Sequence, residues 1–555
     1  MNSDEFRAAA HSAIDQIIDY YDTIESRRVV SNVSPGYLKP LLPPGPPADP
    51  EPWADIQSDI ESKILPGITH WQSPNFLAFF PANSSYPGIL GELYSATFNS
   101  ANFNWLCSPA ATELETIVLD WLARLLNLPE CFLSTSKNGG GGVIQGSASE
   151  AICTVIVAAR ERYLHSLATA GTSVEECEEV IDNNRSKLVA LFSDQTHSST
   201  QKGCQIAGVK YHSIKVPGSA TENYVLTGPL LRKSLEELTV RGLHPFFLTV
   251  TLGTTGTCAV DDFASIVPVL KDYPNLWVHV DAAFAGAALI LPQYQHIPAP
   301  FEHFDSFNMN MHKWLLTNFD CSCLYVKTRK HLIDALSIAP SYLRNPFSEQ
   351  GLVTDYRDWQ IPLGRRFRAL KIWFVMRSYG VSGLQGHIRN SLRHGESFAQ
   401  WVRDRADIFE IVVPPAFALT VFAVKTAVRE ESNCLTKVVY EAVNADGEIF
   451  ITSTVIDGIY AIRVVGGGPK IREEVLRRAF SILVSKTEEM LKAEDAPKLN
   501  GVNDAKGVTK INGEDGENEI KLSGVSTIAE VEQGVKEVVQ AGIPGIEILA
   551  SAVRE

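Results

Sequence analysis

The chain has 555 residues, enough for two or more domains, and carries a formal net charge of 49 − 64 = −15. That acidic balance excludes broad nucleic-acid binding, which needs a basic face, and a polybasic membrane anchor. With 45% hydrophobic and 20% charged residues the composition is that of a globular protein, and no segment approaches the ~18 uninterrupted apolar residues of a membrane span.

In chain order, Met1-Asn2-Ser3-Asp4-Glu5 is acidic and is followed by no apolar leader, so no secretory signal is expected. Phe6, Ile14, Ile17, Ile18 and Tyr21 recur at three- and four-residue steps and predict a helix over Glu5 to Glu25. Pro35 to Pro52, with Pro43-Pro44-Gly45-Pro46-Pro47 at its centre, predicts an extended connector. An arm and strap of this size cannot bury their own apolar face, so they are expected to lie on another surface, such as a second subunit.

Two amphipathic helices follow, Leu114 to Leu128 and Ser149 to Leu167. The apolar runs 188–192, 246–250 and 276–280 read as buried strands, each ending in small or polar residues: Ser193-Asp194-Gln195, Gly253-Thr254-Thr255 and Asp281-Ala282-Ala283. Continuous apolar strands between helices predict an α/β fold around a mainly parallel sheet covered on both faces. Ligands of such sheets bind beyond the carboxyl ends of the strands, where these polar tips fall. From about Ser391 the texture becomes α+β, with strands at Phe417 to Val424 and Tyr460 to Val465 and a helix from Arg472 to Leu491. The expected divisions are 1–112 (helical arm, strap and pocket segment), 113–390 (large domain), 391–495 (small C-terminal domain) and 496–555. The last is a polar tail, expected to be a disordered linker with one short amphipathic helix over Thr527 to Val539. The nine cysteines are odd in number, and the one close pair, Cys321-Ser322-Cys323, has C-x-C spacing. Neither a disulfide framework nor a metal site is expected, and the reducing cytosol is the simplest compartment.

Four features carry chemistry. Asn138-Gly139-Gly140-Gly141-Gly142 leads into Gly146-Ser147-Ala148-Ser149-Glu150, where a helix opens; helix N-termini present free N–H groups that hold phosphate, although a plain capping box has the same spacing. His197 follows the strand end Ser193-Asp194; an imidazole there suits stacking on a flat ring, and a surface histidine is the ordinary alternative. Asp281 ends an apolar strand and suits pairing with a cationic ring nitrogen or capping the next turn; Ala283 leaves room for a flat ring. Lys313, in Asn310-Met311-His312-Lys313-Trp314, is either a surface lysine packed on Trp314 or a buried amine whose lowered pKa lets it attack an aldehyde. Together the four point to one phosphorylated, aldehyde-bearing ring.

Longer motifs give the resemblance. Asp305-Ser306-Phe307-Asn308-Met309-Asn310-Met311-His312-Lys313-Trp314 with Asn318-Phe319-Asp320-Cys321-Ser322, then His279-Val280-Asp281-Ala282-Ala283-Phe284-Ala285-Gly286, Pro35-Gly36-Tyr37-Leu38 and Asp358-Trp359-Gln360-Ile361-Pro362-Leu363-Gly364-Arg365-Arg366-Phe367-Arg368, stand in order. Over roughly residues 5 to 490 the chain resembles the group II pyridoxal-phosphate decarboxylases, specifically the aromatic L-amino-acid decarboxylases. The resemblance implies the aminotransferase-like fold (fold type I), pyridoxal 5'-phosphate as cofactor, and a C2 homodimer with shared active sites. It implies that Lys313 carries the cofactor, that Asp281 pairs with the ring nitrogen, that Ala283 and His197 flank the ring, and that Ser147, Ala148, Ser149, Thr255, Asn310 and His312 match phosphate-pocket positions. Trp71, Phe79, Phe80, Pro81 and Phe103 match the aromatic substrate pocket, part of it supplied by the partner subunit.

The implied reaction releases the α-carboxylate as CO2, the electrons entering the protonated ring, and returns a proton to Cα. The matching proton donor is Tyr342, on a polar loop from about Ser341 to Tyr356 that suits a water-excluding lid. Relatives with phenylalanine there release an aldehyde, so Tyr342 implies the amine; an aromatic acetaldehyde synthase and a catalytically silent scaffold are the alternatives. Gly364, where relatives with serine favour histidine or phenolic substrates, implies a larger aromatic substrate; tryptophan or 5-hydroxytryptophan is favoured, with tyrosine, DOPA and phenylalanine also possible. Met311 departs from the proline of many animal relatives.

Overall fold

The computed structural model describes residues 1–168, 173–338, 340, 343 and 346–495. Seven strands form the large sheet: β1 (Gly141–Gln145), β2 (Leu188–Ser193), β3 (Lys210–Ile214), β4 (His244–Thr251), β5 (Trp277–Asp281), β6 (Ser306–Asn310) and β7 (Ser322–Val326). Their order is β1-β7-β6-β5-β4-β2-β3. Pairs from β6 to β3 are parallel, whereas β7 runs antiparallel to both β1 and β6. Every residue of β1, β2, β5, β6 and β7 is buried, as expected of strands covered by helices on both faces. Because β1, β2, β4, β5 and β6 point the same way, Gln145, Ser193, Thr251, Asp281 and Asn310 finish at one edge of the sheet.

A second sheet, ordered β10-β11-β9-β8, is antiparallel throughout: β8 (Phe409–Ile411), β9 (Leu419–Val424), β10 (Thr452–Ile456) and β11 (Ile459–Val465). The helices Arg429–Asp446 and Glu473–Asp495 accompany it. The helix Ala369–Asp404 runs across position 390/391, so no linker separates the two sheets there; its one non-helical residue is Gly380 (φ 62°).

The N-terminal helix spans Ser3–Thr23 and is closed by a capping box in which Asn2 accepts the Glu5 N–H and Glu5 reaches back to the Asn2 N–H. Only Ala9 of this helix is buried, and Phe6, Ile14 and Ile18 are exposed, so this chain leaves most of the apolar face uncovered. The strap departs from expectation. Rather than extending throughout, it turns at residues 35–38 and forms a short 3-10 helix, Lys39–Leu41, because Pro40 near its start has the φ that such a turn needs. A further helix, Trp53–Asp59, was not anticipated. Residues 496–555, with the proposed helix over Thr527 to Val539, lie outside the described residues. Among the described residues no helix is long and apolar enough to cross a membrane.

Candidate active site

The parallel strand ends build a cavity of about 250 Å3. It is lined by Ser147, Ala148, Ser149, His197, Thr251, Thr255, Asp281, Ala283, Phe284, Asn310, His312, Lys313 and Phe319, among others. All ten expected cofactor residues are among them. A wider cavity of about 500 Å3 adjoins it, sharing Phe80, His197, Thr255, Lys313 and Phe319 and adding Trp71, Phe79, Pro81, Ala82 and Arg463.

The helix Ala148–Ser166 starts at one wall of the inner cavity. Ser147 caps it by accepting the Glu150 N–H (3.2 Å), and Glu150 reaches back to the Gly146 N–H (2.9 Å), which pins the turn between β1 and the helix. The glycine run itself is not a loose loop, because Gly141 and Gly142 belong to β1.

Asp281, the last residue of β5, is 5% exposed and accepts the Ala283 N–H (3.1 Å). Lys313 lies in the short helix Met311–Trp314, its Nζ 5.5 Å from the centroid of the Phe80 ring. Burial pulls the Lys313 pKa down, while Asp281 and Cys258 oppose that pull. Desolvation likewise lowers the His197 pKa; Asp281 raises it and Lys313 lowers it further. The Nδ1 of His197 accepts the Ser199 N–H (3.1 Å), so the neutral ring carries its proton on Nε2. The Nδ1 of His312 accepts the Cys321 N–H (2.9 Å) in the same way, and burial drives the His312 pKa to about 3.

The substrate-side wall is a set of stacked rings. Phe80 packs on Phe284 (3.9 Å between centroids, 10° between planes) and Phe284 on Trp314 (4.4 Å, 14°), while Trp71 stacks on Phe79 (5.6 Å, 14°). Two expected residues are elsewhere. Phe103 and Gly364 line neither cavity of this chain. They sit in one braced block: the Arg357 N–H donates to the Phe103 carbonyl (3.2 Å) and the Arg365 N–H to the Ala101 carbonyl (2.7 Å). Gly364 is exposed, with no atom within 4 Å of the place a β-carbon would take, and Ile361 and Leu363 beside it are exposed too. Tyr342 lies outside the described residues.

Sequence reasoning missed Thr251, Phe284, Phe319 and Arg463. Arg463 had a signal, since it is the one charge in the apolar strand Ile459–Val465. Phe319 had none, because an exposed aromatic in a loop has many explanations.

The chemistry of the inner cavity fits pyridoxal phosphate. A helix start with two serines suits the phosphate, a strand-end carboxylate suits the ring nitrogen, and a buried amine suits the aldehyde. Two polar atoms among the lining residues, Asn310 Oδ1 and Thr251 Oγ1, are buried without a hydrogen-bond partner, as expected where a polar ligand completes the site.

Residues 35–425 match the pyridoxal-dependent decarboxylase conserved domain. Tyrosine decarboxylase 2 of Narcissus pseudonarcissus is 45% identical over 506 residues, covering 91% of this chain and 98% of that protein. Phenylacetaldehyde synthase of Arabidopsis thaliana is 45% identical over 494 residues, covering 88% and 97%. Among solved structures, Oryza sativa TDC with PLP and tryptamine superposes with a TM-score of 0.82 at 38% identity, covering 88% of this chain and 99% of that one.

Proposed function

The chain belongs to the pyridoxal-dependent decarboxylase family, and from that premise we propose that it is a pyridoxal 5'-phosphate-dependent lyase converting aromatic L-amino acids to the amine and CO2. The observation that carries this reading is the meeting of Lys313, Asp281 and the Ser147 helix start around one cavity, with a wall of aromatic rings beside it. When bound, pyridoxal phosphate supplies an electron sink for the pair left behind by the departing carboxylate. Lys313 would hold its aldehyde carbon, Asp281 its ring nitrogen, and Ser147, Ala148, Ser149, Thr255, Asn310 and His312 its phosphate. Ala283 and His197 would flank the ring.

The lowered Lys313 pKa keeps more of its amine neutral and nucleophilic near pH 7 than an exposed lysine allows. The rings of Trp71, Phe79 and Phe80 with Pro81 offer an apolar bed for the substrate ring and exclude water from its Cα. Tyr342 is assigned the return of a proton to Cα, which favours the amine over the aldehyde.

The site is complete only in a homodimer. Phe103 and Gly364 do not reach the cavities of their own chain, and the face beside them exposes Phe98, Leu106, Ile361 and Leu363. A partner presenting this block would add Phe103 and Gly364 to each site, and Tyr342 is assigned to the same shared site by resemblance alone. Gly364 leaves volume for a bicyclic ring, so tryptophan or 5-hydroxytryptophan is the favoured substrate. All nine cysteines are free, which suits the reducing cytosol.

The test is purified protein supplied with tryptophan, 5-hydroxytryptophan, tyrosine, DOPA and phenylalanine, with CO2, amine, aldehyde and peroxide all quantified. Equal CO2 and amine supports the reading. Aldehyde with peroxide in place of amine establishes the synthase instead. No turnover, with the absorbance of bound cofactor unaffected by Lys313→Ala, establishes a scaffold.

A further inference from the structure

The wall beside Lys313 contains an unusual junction. Residues Asn75 to Leu77 begin a ladder with Phe450: the Phe450 N–H donates to the Asn75 carbonyl (3.0 Å) and the Leu77 N–H to the Phe450 carbonyl (2.8 Å). Two residues on, Phe79 leaves the ladder. Its φ is +53°, a left-handed conformation that costs a β-carbon-bearing residue about 1 kcal/mol or more. Its N–H is caught by a side chain, Thr452 Oγ1 (3.3 Å).

The same Thr452 oxygen accepts a second N–H, from Arg463 Nη1 (3.2 Å), directly across the β10–β11 pair. The rest of the guanidinium faces the cofactor side. Nη2 donates to the Thr255 carbonyl (2.6 Å), Nε to the Gly256 carbonyl (3.3 Å), and the group lies 5.5 Å from the centroid of Phe80. Arg463 is 4% exposed, and among the described residues no carboxylate lies within ion-pairing distance of it. A buried cation bonded only to neutral acceptors is an expensive way to hold a strand together. It is well suited to tying the Thr255–Gly256 loop to the Thr452 side chain, because its planar fork offers donors in fixed directions.

We propose that Thr452 and Arg463 are positioning residues that lock the aromatic wall of Phe79 and Phe80 to the Thr255 loop, and so set how tightly the site holds the substrate ring. The inference rests on the decarboxylase reading for its substrate. Thr452 is the point of leverage. Its single oxygen serves both donors, so valine, nearly the same shape, leaves the Phe79 N–H and one Arg463 N–H unpaired at once. Phe79 is then free to relax from its left-handed backbone and carry its ring off Trp71.

The test compares holoenzyme Thr452→Val and Thr452→Ser with wild type. Dissociation constants of indole-3-propionate and 3-phenylpropionate, which lack the amine and so report the wall alone, are measured by calorimetry. KM and kcat are measured for L-tryptophan and L-tyrosine, and cofactor loading by absorbance. Thr452→Val is expected to weaken indole-3-propionate and raise the KM for tryptophan about tenfold, the worth of one to two lost hydrogen bonds. Its kcat and cofactor loading should stay within about twofold, and Thr452→Ser, which keeps the oxygen, should restore wild-type affinity. Unchanged affinity and KM in Thr452→Val would overturn the proposal. So would unfolding or cofactor loss in its place, which would mark Thr452 as merely structural. If the wild type binds the arylpropionates but releases no CO2, the decarboxylase reading falls while the arylpropionate comparison still judges the clasp.

Discussion

The imidazole of His312 and the ring of Phe319 lie face to face, 3.8 Å between centroids and 24° between planes. Phe319 lines both cavities, so this stack stands where the inner cavity meets the wider one. It also keeps His312 dry and neutral, with Nδ1 occupied by the Cys321 N–H and a proton left on Nε2. His312→Phe, which keeps the stack and removes the donor, should weaken cofactor binding by about 1.5–3 kcal/mol, the worth of one hydrogen bond to a charged acceptor. Fluorescence titration of the apoprotein with pyridoxal phosphate measures it; an unchanged dissociation constant excludes a phosphate contact.

Acid should destabilise the fold early. Burial lowers the pKa of His279 to about 4, His312 to about 3 and His387 to about 4. A histidine whose folded pKa is depressed is neutral in both states above about pH 6.5. Below that the unfolded chain takes up the proton first, so stability falls until the folded pKa is reached. Each such group contributes up to about 1.4 kcal/mol per pH unit in that window. Urea midpoints at pH 7, 6 and 5 should decline steadily, and the His279→Gln variant should decline less steeply.

Gly91 sits where the helix Tyr86–Phe98 crosses the helix Ala369–Asp404. A β-carbon there would come within 2.5 Å of Lys371 Cα and 2.8 Å of its nitrogen. Backbone cannot step aside as a side-chain tip can, so Gly91→Ala should cost about 1–3 kcal/mol, the usual range for overpacking. Denaturant unfolding checks it, with Gly386→Ala, which meets nothing within 4 Å, as the control.

The proposed sharing of sites between subunits predicts complementation. Lys313→Ala and Tyr342→Phe should each make no normal yield of amine alone. If Tyr342 acts across the interface of the proposed homodimer, a mixed dimer has one site with both residues intact, so co-expression should restore amine formation. Failure to complement, in a preparation shown to contain mixed dimers, means that each chain builds its own site.

Gly364→Ser should narrow the site. A β-carbon at this position meets nothing within 4 Å, so in the proposed homodimer the added hydroxymethyl group would project towards the partner's site, and kcat/KM for tryptophan should fall relative to tyrosine by about tenfold, within the range of one misfitting group. Competition between the two substrates reads the ratio directly, and an unchanged ratio removes Gly364 from substrate choice.

Much of this protein was legible in the sequence because its chemistry is written locally. Buried strands read as apolar runs, and their carboxyl ends carry Asp281, Asn310 and the Gly253-Thr254-Thr255 tip; parallel strands must deliver those ends to one edge. Ser147 announces a helix start by its own capping preference. What only the tertiary structure decided concerns partners distant in sequence. Thr452 meets Phe79 across 373 positions and shares its oxygen with Arg463, and nothing in the local pattern of any of the three residues foretells it. Phe103 and Gly364 belong to the site by resemblance, yet they line neither cavity beside their own Lys313. Periodicity and propensity act over a few residues, whereas which surfaces meet is settled by burying the whole apolar area at once, and a side chain's neighbours across that contact have no sequence period to betray them.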